Sequence, residues 1–419
     1  MDTRHASGKD PGHVCSGRRR FLAGAAAGWL AAARPGLAPG AAAGPARYRV
    51  AVIGYTGRGN YGHGLDEVWL EVPKARVVAV ADADPQGLAA AVKRLGNPQG
   101  YLDYRKMLDE VKPDLVSVCP RWLDQHRDMV LAASEQGVRG IYMEKPMCRT
   151  LAEADEMVAA CEKHKVKLAI AHQTRYSQKL PVVRELIRSG RLGRIVEFRA
   201  RGKEDHRGGG EDLWVLAGHM FNLIHHLGGK PLWCFGTVEQ DGRPIRREDV
   251  RPGAEGIGPL AGDKVHAMYR LESGPAAYFD SVRNAAGRPT RFGLSIFGSE
   301  GIVQSFDTGH LPEMFFLGDS AWAPGRTGSK WLPISSAGVG KPEPLANRGL
   351  AGGNVLAVND LIEAVEQDRL PLSNIYEART ATEMIVAVFE SQRQGKPVPL
   401  PLENRQNPLT MLLVADLRP

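Results

Sequence analysis

Five short apolar runs, separated by helical patterns, constrain this chain more than any other feature. "RVAVIG" at residues 49–54, "ARVVAVAD", "DLVSVC", "RGIYME" and "KLAIAH" are rich in β-branched residues and barely alternate. Strands buried on both faces of a parallel sheet have this signature. Between them lie helical patterns such as "DPQGLAAAVKRL" and "WLDQHRDMVLAASEQG". One helix has a marked start, because Thr150 and Glu153 have the spacing of a capping box. A βαβ series of this kind closes into a doubly wound parallel sheet, here over residues 47–172.

The second half has a different period. "IVEFRAR", "WCFGTVEQ", "KVHAMYRLES", "AAYFDSVRN" and "RFGLSIFG" alternate apolar and polar residues, as antiparallel strands with one covered and one wet face do. Two helical patterns cover residues 354–394, and the Pro-rich "GKPVPLPLENRQNP" reads as an arm. Residues 307–350, rich in Gly, Pro and Ser, read as loop at the rim of a site. The expected architecture is α/β. An N-terminal Rossmann-type sheet spans 47–172, an α+β domain with a large, open, mostly antiparallel sheet spans 173–395, and an arm spans 396–419.

In front of all this stands "GRRRFLAGAAAGWL", residues 17–30. A basic segment ending at Arg20, an apolar run from Phe21 to Ala33 and small residues through Ala43 follow the order of a secretory leader. The apolar run is shorter than the roughly 20 residues that span a bilayer. Arg18-Arg19-Arg20-Phe21-Leu22 fits a twin-arginine signal, with Gly17 where a serine or threonine is usual. Residues 1–43 are therefore expected to be a signal peptide and the mature chain to be periplasmic or otherwise extracytoplasmic, with no membrane span. The whole chain carries +7, but residues 44–419 hold 48 basic and 45 acidic side chains, so nothing argues for nucleic acid as a partner. Cys119, Cys148, Cys161 and Cys234 match no metal-ligand spacing.

The first strand runs into "GYTGRGNYGHG". Gly54, Gly57, Gly59 and Gly62 let the backbone approach a pyrophosphate at a helix N-terminus. Counted from the strand end, Thr56 falls where the dinucleotide fingerprint has its second glycine. Asp82 closes the second strand 23 residues after Gly59, in the place of a carboxylate that hydrogen-bonds an adenosine ribose and repels a 2′-phosphate. NAD is favoured over NADP, with Arg58 the one feature that speaks for a phosphate.

"YMEKPMCRTLAEADEMV", "AHQTRYSQKLPVVRELIRSGRLGRIVEFRA" and "FGLSIFGSEGIV" resemble, in order and separation, motifs of the glucose-fructose oxidoreductase and inositol dehydrogenase (Gfo/Idh/MocA) family. The resemblance spans residues 47–402. It implies a nicotinamide cofactor, a carbohydrate-like substrate and a dimer or tetramer built on the open sheet. It also implies that Lys145 of Glu144-Lys145-Pro146 sits by the nicotinamide and the reacting hydroxyl. There an ammonium would stabilise an alkoxide or shuttle a proton. Pro120, His126, Glu144 and Arg175 are implied at the cofactor edge. Pro120 and His126 stand further apart than is usual in the family, and His126 reads equally well as a helix-face residue.

In "LWVLAGHMFNLIHHLGG" helical spacing puts His219, Asn222 and His226 on one face. Family dehydrogenases have an aspartate, a histidine four residues later and an aspartate three after that. Here the positions hold Val215, His219 and Asn222. His219 corresponds to the acid/base histidine, or else is a satisfied core residue, and Asn222 replaces the later acid. Asp212 or Glu211, on the glycine-rich "RGGGEDLW", are candidates to supply the missing carboxylate. No zinc site is expected of His219, His225 and His226, for want of acidic or thiol partners.

The implied function is an exported NAD(P)-dependent oxidoreductase acting by hydride transfer at a secondary alcohol of a sugar, glycoside or cyclitol. Where no free nicotinamide pool is expected, it would hold its cofactor tightly and return the hydride within the cycle. Glycosidase-like elimination and hydration, a non-catalytic sugar-binding or assembly role, and a cytoplasmic dehydrogenase remain as alternatives.

Overall fold

A computed structural model describes residues 47–287 and 290–412, so the expected leader and the end of the C-terminal arm lie outside the described residues. Six parallel strands, β1 (Tyr48–Ile53), β2 (Ala75–Ala81), β3 (Gln99–Tyr101), β4 (Leu115–Val118), β5 (Gly140–Met143) and β6 (Lys167–Ile170), lie in the order β3-β2-β1-β4-β5-β6. Five are the apolar runs of the sequence. β3 has no such run; it exists because its backbone pairs with the end of β2 at Ala79–Ala81.

Four helices alternate with these strands: α1 (Pro85–Arg94), α2 (Tyr104–Val111), α3 (His126–Glu135) and α4 (Leu151–His164). Asp84 starts α1 by accepting the Gly87 N–H at 2.6 Å, with Pro85 at the first helical position. Thr150 caps α4 by accepting the Glu153 N–H at 3.2 Å. Glu153 does not complete the capping box; its carboxylate takes the Arg149 N–H at 2.8 Å and the Arg149 guanidinium.

The chain continues through α5 (Leu180–Arg188), β7 (Ile195–Arg201), α6 (Gly210–Val215), α7 (Ala217–Gly228) and β8 (Pro231–Gln240). β7 and β8 belong to a second sheet of eleven strands. Its order is Gly338–Val339, Leu332–Ser335, Glu313–Leu317, Ile302–Phe306, Gly293–Gly298, β7, Ala276–Val282, Lys264–Leu271, β8 and Val398–Pro399, with Arg243–Pro244 turned back on β8. β7 runs parallel to Ala276–Val282, and the other pairs are antiparallel. Residues 307–350 are thus not simply loop: three strands in this segment extend the far edge of the sheet. Their Gly and Pro residues hid strands of two to five residues.

Two long helices close the fold, α8 (Gly349–Glu366) and α9 (Ile375–Gln394). α9 lies so close to β8 that a Cβ on Gly236 would meet Val388 Cγ1 at 2.8 Å. α8 belongs to the second domain by sequence position but packs on the first sheet. Ala357, Val358, Leu361 and Ile362 share a core with Val50, Val52, Leu115 and Ala169. The reason lies between β1 and β2, where the described chain makes turns and a five-residue 3-10 helix, Glu67–Glu71, instead of a crossover α-helix. α8 covers the apolar face left open there. Among the described residues no helix is long and apolar enough to cross a membrane.

Candidate active site

The glycine-rich turn leaves β1 at the point where the strand order reverses, outside the carboxyl ends of the strands. Gly57, Gly59, Gly62 and Gly64 have φ of +81°, +86°, +61° and +82°, and Asn60 adopts +52°. These left-handed residues bar a right-handed helix, so the expected helix N-terminus under a pyrophosphate is not formed. Close approach governs two of the glycines. A Cβ on Gly59 would lie 2.4 Å from the Arg121 amide nitrogen, and one on Gly62 would lie 2.6 Å from the Cys119 carbonyl oxygen.

Thr56, in place of the second glycine, donates its N–H at 3.0 Å and its hydroxyl at 2.6 Å to Asp82. Asp82 also accepts the Tyr61 hydroxyl at 2.8 Å and the Asp84 N–H at 3.0 Å. Its oxygens therefore hold the turn instead of standing free for a ribose, which corrects the role read from sequence. Beside it a cavity of about 350 Å³ is lined by Gly54, Tyr55, Asp82, Asp103, Tyr104 and Gln125, at the strand ends where an adenosine belongs. Arg58 does not wait for a phosphate: it pairs with Asp124, its guanidinium 4.8 Å above the Trp122 ring. A carboxylate in the cavity wall and a neutralised arginine suit NAD and disfavour a 2′-phosphate.

The candidate reaction end lies on the turn after β5. Glu144 is 0 % exposed and accepts the His63 N–H at 3.1 Å, the Lys145 N–H at 2.6 Å and a contact from His63 Nδ1. Burial would raise its carboxyl; the His63 bond and the charges of His63 and Lys145 hold it below the usual carboxylate range. Lys145 Nζ donates to the Val215 carbonyl at 3.0 Å. Burial lowers the Lys145 pKa, Glu144 and Glu255 oppose the fall, and Arg207 and Lys203 add to it.

Four residues beyond Val215, past the break between α6 and α7, His219 is 4 % exposed and its Nδ1 has no partner. Burial first, then the charge of Lys145, holds His219 well below the ordinary histidine range, so the ring is neutral at neutral pH. The His172 ring meets it edge-on at 5.5 Å between centroids, and His172 Nδ1 lies 3.2 Å from the Ser373 hydroxyl. Asn222 is 0 % exposed with neither amide atom partnered.

Several residues do other work than the sequence suggested. Both His126 nitrogens face carbonyls, Nε2 that of Pro120 at 2.6 Å and Nδ1 that of Pro146 at 3.0 Å. His126 and Pro120 thus clamp the two loops that frame the cofactor edge, and His126 has no ring nitrogen left for a ligand. Arg175 points to α9, with Nε donating to the Leu372 carbonyl at 3.2 Å and Nη2 3.6 Å from Glu377. Asp212 braces the second sheet through Oδ2, accepting the Ser281 hydroxyl at 2.7 Å and the Glu204 N–H at 2.9 Å, while its Oδ1 is buried without a partner. Three contributors escaped notice: His63, His172 and Asn354. Asn354 on α8 accepts from Tyr142 Oη at 2.8 Å and Gln173 Nε2 at 2.9 Å, and donates to the His63 carbonyl at 2.9 Å. His172 could have been found, since it ends a parallel strand on the ligand-binding edge.

A glycine-rich turn at the switch point, an adenosine-sized cavity and a partly buried lysine facing a second, antiparallel domain define a two-domain dinucleotide-dependent oxidoreductase. The chain belongs to the Gfo/Idh/MocA oxidoreductase family: the family's NAD-binding Rossmann fold matches residues 48–172 and its C-terminal alpha/beta domain residues 184–400. It is similar to the levoglucosan dehydrogenase of Pseudarthrobacter phenanthrenivorans, 25 % identical over 69 % of this chain and 80 % of that protein. The myo-inositol 2-dehydrogenase of Thermotoga maritima is 23 % identical over 60 % of this chain and 74 % of that protein. Among solved structures, a levoglucosan dehydrogenase in complex with NADH and levoglucosan superposes with a TM-score of 0.66 at 20 % identity, over 84 % of this chain and 99 % of that one. Fold and cofactor class agree with the sequence expectations.

Proposed function

We propose that this protein oxidises a secondary alcohol of a sugar, glycoside or cyclitol, with Lys145 and His219 at the reacting oxygen. The observation that carries this is the Lys145 Nζ bond to the Val215 carbonyl, at the break between α6 and α7 and four residues before His219. The dehydrogenases named above, which act on levoglucosan and myo-inositol, support the substrate class. Bound NAD would supply the hydride acceptor. The chain's own residues handle the proton. A base works best when its pKa lies near the working pH. Lys145 is moved down toward neutrality and His219 away from it. Lys145 is therefore the better proton carrier and stabilises the nascent alkoxide, while the neutral His219 ring accepts a hydrogen bond from the substrate hydroxyl and orients it.

Export by the twin-arginine route, retention of the cofactor and assembly as a dimer or tetramer belong to the same proposal, on the strength of the leader pattern and the family resemblance. One experiment tests cofactor retention: protein purified from its own compartment without added nucleotide is denatured and the released NAD(H) is counted. Near-stoichiometric NAD is expected; an empty site that binds NADH only weakly ends the retained-cofactor reading.

A further inference from the structure

Between β8 and the strand Lys264–Leu271 the chain makes a small hairpin, in which Arg251–Pro252 pairs with Pro259–Leu260. It is anchored by Ile257, which is fully buried in the core of the second domain, and by the Gly253 N–H bond to the Gly258 carbonyl at 2.7 Å. The base of the hairpin adjoins the start of α6, where the Gly210 N–H donates to the Gly262 carbonyl at 3.1 Å. Its tip reaches the loop after β4. Glu255 Oε1 lies 3.7 Å from Arg121 Nη2, and Gly256 sits so close to Asp124 that a Cβ would meet its carboxylate at 2.9 Å. The hairpin therefore bridges α6, whose last carbonyl holds Lys145, and the loop that roofs the cofactor turn through Asp124 and Arg58.

Glu255 occupies the tip with φ +53°, a left-handed conformation that a glycine or asparagine adopts more readily. Strain of this kind persists where the surrounding structure holds a side chain in place, and it concentrates at functional sites. Glu255 is only partly exposed, at 24 % of its side chain, 3.7 Å from Arg121, and its charge favours the Lys145 ammonium.

We propose that Glu255 is a substrate-positioning carboxylate, carried across the cleft by the hairpin to supply beside Lys145 the negative charge that Val215 does not. A carboxylate there accepts hydrogen bonds from substrate hydroxyls while Arg121 fixes its orientation. No proton or hydride passes through it. The inference rests on the reading of this centre as one that binds a polyhydroxylated substrate.

Two measurements on the full-length, NAD-loaded protein separate that reading from the role of Glu255. In the first, the protein carries ¹³C-labelled lysine, the Lys145 signal is assigned with Lys145→Arg, and no substrate is present. Glu255→Gln should move the Lys145 titration midpoint down and Glu255→Asp should keep it near wild type, because Glu255 favours the ammonium. An unmoved midpoint in Glu255→Gln overturns the placement. In the second, turnover of levoglucosan, myo-inositol and methyl β-D-glucoside is followed. Glu255→Gln should raise KM by about 10- to 100-fold, with a smaller change in kcat and unchanged NADH affinity. An unchanged KM overturns the proposal, as does a parallel loss of NADH affinity, which would make the hairpin a cofactor strap. Absence of wild-type turnover on all three counts against the functional reading, while the titration still decides Glu255.

Discussion

The Lys145 ammonium donates to the Val215 carbonyl across 3.0 Å. The residue that breaks the family's carboxylate pattern thus still positions the lysine, through its backbone. This contact survives any change of the Val215 side chain, and removing the lysine should abolish proton handling without disturbing the nucleotide. Lys145→Met is expected to lower kcat by about 10²- to 10⁴-fold. NADH affinity, read by fluorescence, should stay near wild type. A protein that only binds sugars would instead show no turnover before the change and keep its ligand after it.

Gly57 and Gly59 allow a controlled comparison within one turn. Both have positive φ, but a Cβ on Gly57 meets nothing within 4 Å while one on Gly59 strikes the Arg121 backbone. Gly57→Ala should cost only the left-handed strain, about 1–2 kcal/mol. Gly59→Ala should in addition displace the loop that carries Arg121 and Trp122 and weaken NADH binding well beyond the effect of Gly57→Ala. Equal NADH dissociation constants for the two variants would refute this account of the turn.

Acid should destabilise the fold through three buried histidines, His172, His219 and His225. Burial, joined by the charge of Lys145, lowers His172 to about 3, and burial with the charge of Arg175 lowers His225 to about 4. The unfolded chain takes up these protons near the ordinary value of about 6.5, while the folded chain refuses them. Stability is therefore complete above about 6.5 and is lost as the pH falls from there toward the folded values, by about 2 kcal/mol for each of His172 and His225 at about pH 5. Urea unfolding at both ends of the window checks this, and His225→Gln should make the loss shallower. An unchanged slope in that variant would mean that other groups carry the acid sensitivity.

Asn354 ties α8 to the first domain through Tyr142, Gln173 and the His63 carbonyl. Asn354→Ala leaves the buried Tyr142 hydroxyl without that acceptor and should cost about 2–4 kcal/mol in denaturant unfolding, with the loss of more than one buried hydrogen bond. The His63 carbonyl also loses its donor, so turnover should fall further than the lost folded fraction accounts for. A drop explained wholly by unfolding would confine Asn354 to a structural role.

The parallel sheet was legible because strands buried on both faces must be continuously apolar, and the second sheet because its faces differ. Motif and spacing pointed to Lys145, His219 and the glycine turn, but not to the left-handed backbone of that turn. β3 was not, since three residues of no particular pattern become a strand only when β2 lies alongside.

What the sequence by itself determined is therefore most of the elements and the cofactor class, encoded in short-range periodicity and motif spacing. Tertiary structure alone decided that Asp82 braces Thr56 and Tyr61, that His126 joins two loops, that α8 replaces the missing crossover helix, and that His63 meets Glu144 across 81 residues of chain. A polar group's role is set by whichever donors and acceptors the fold brings within about 3 Å of it, and partners so distant in the chain leave no mark on local pattern.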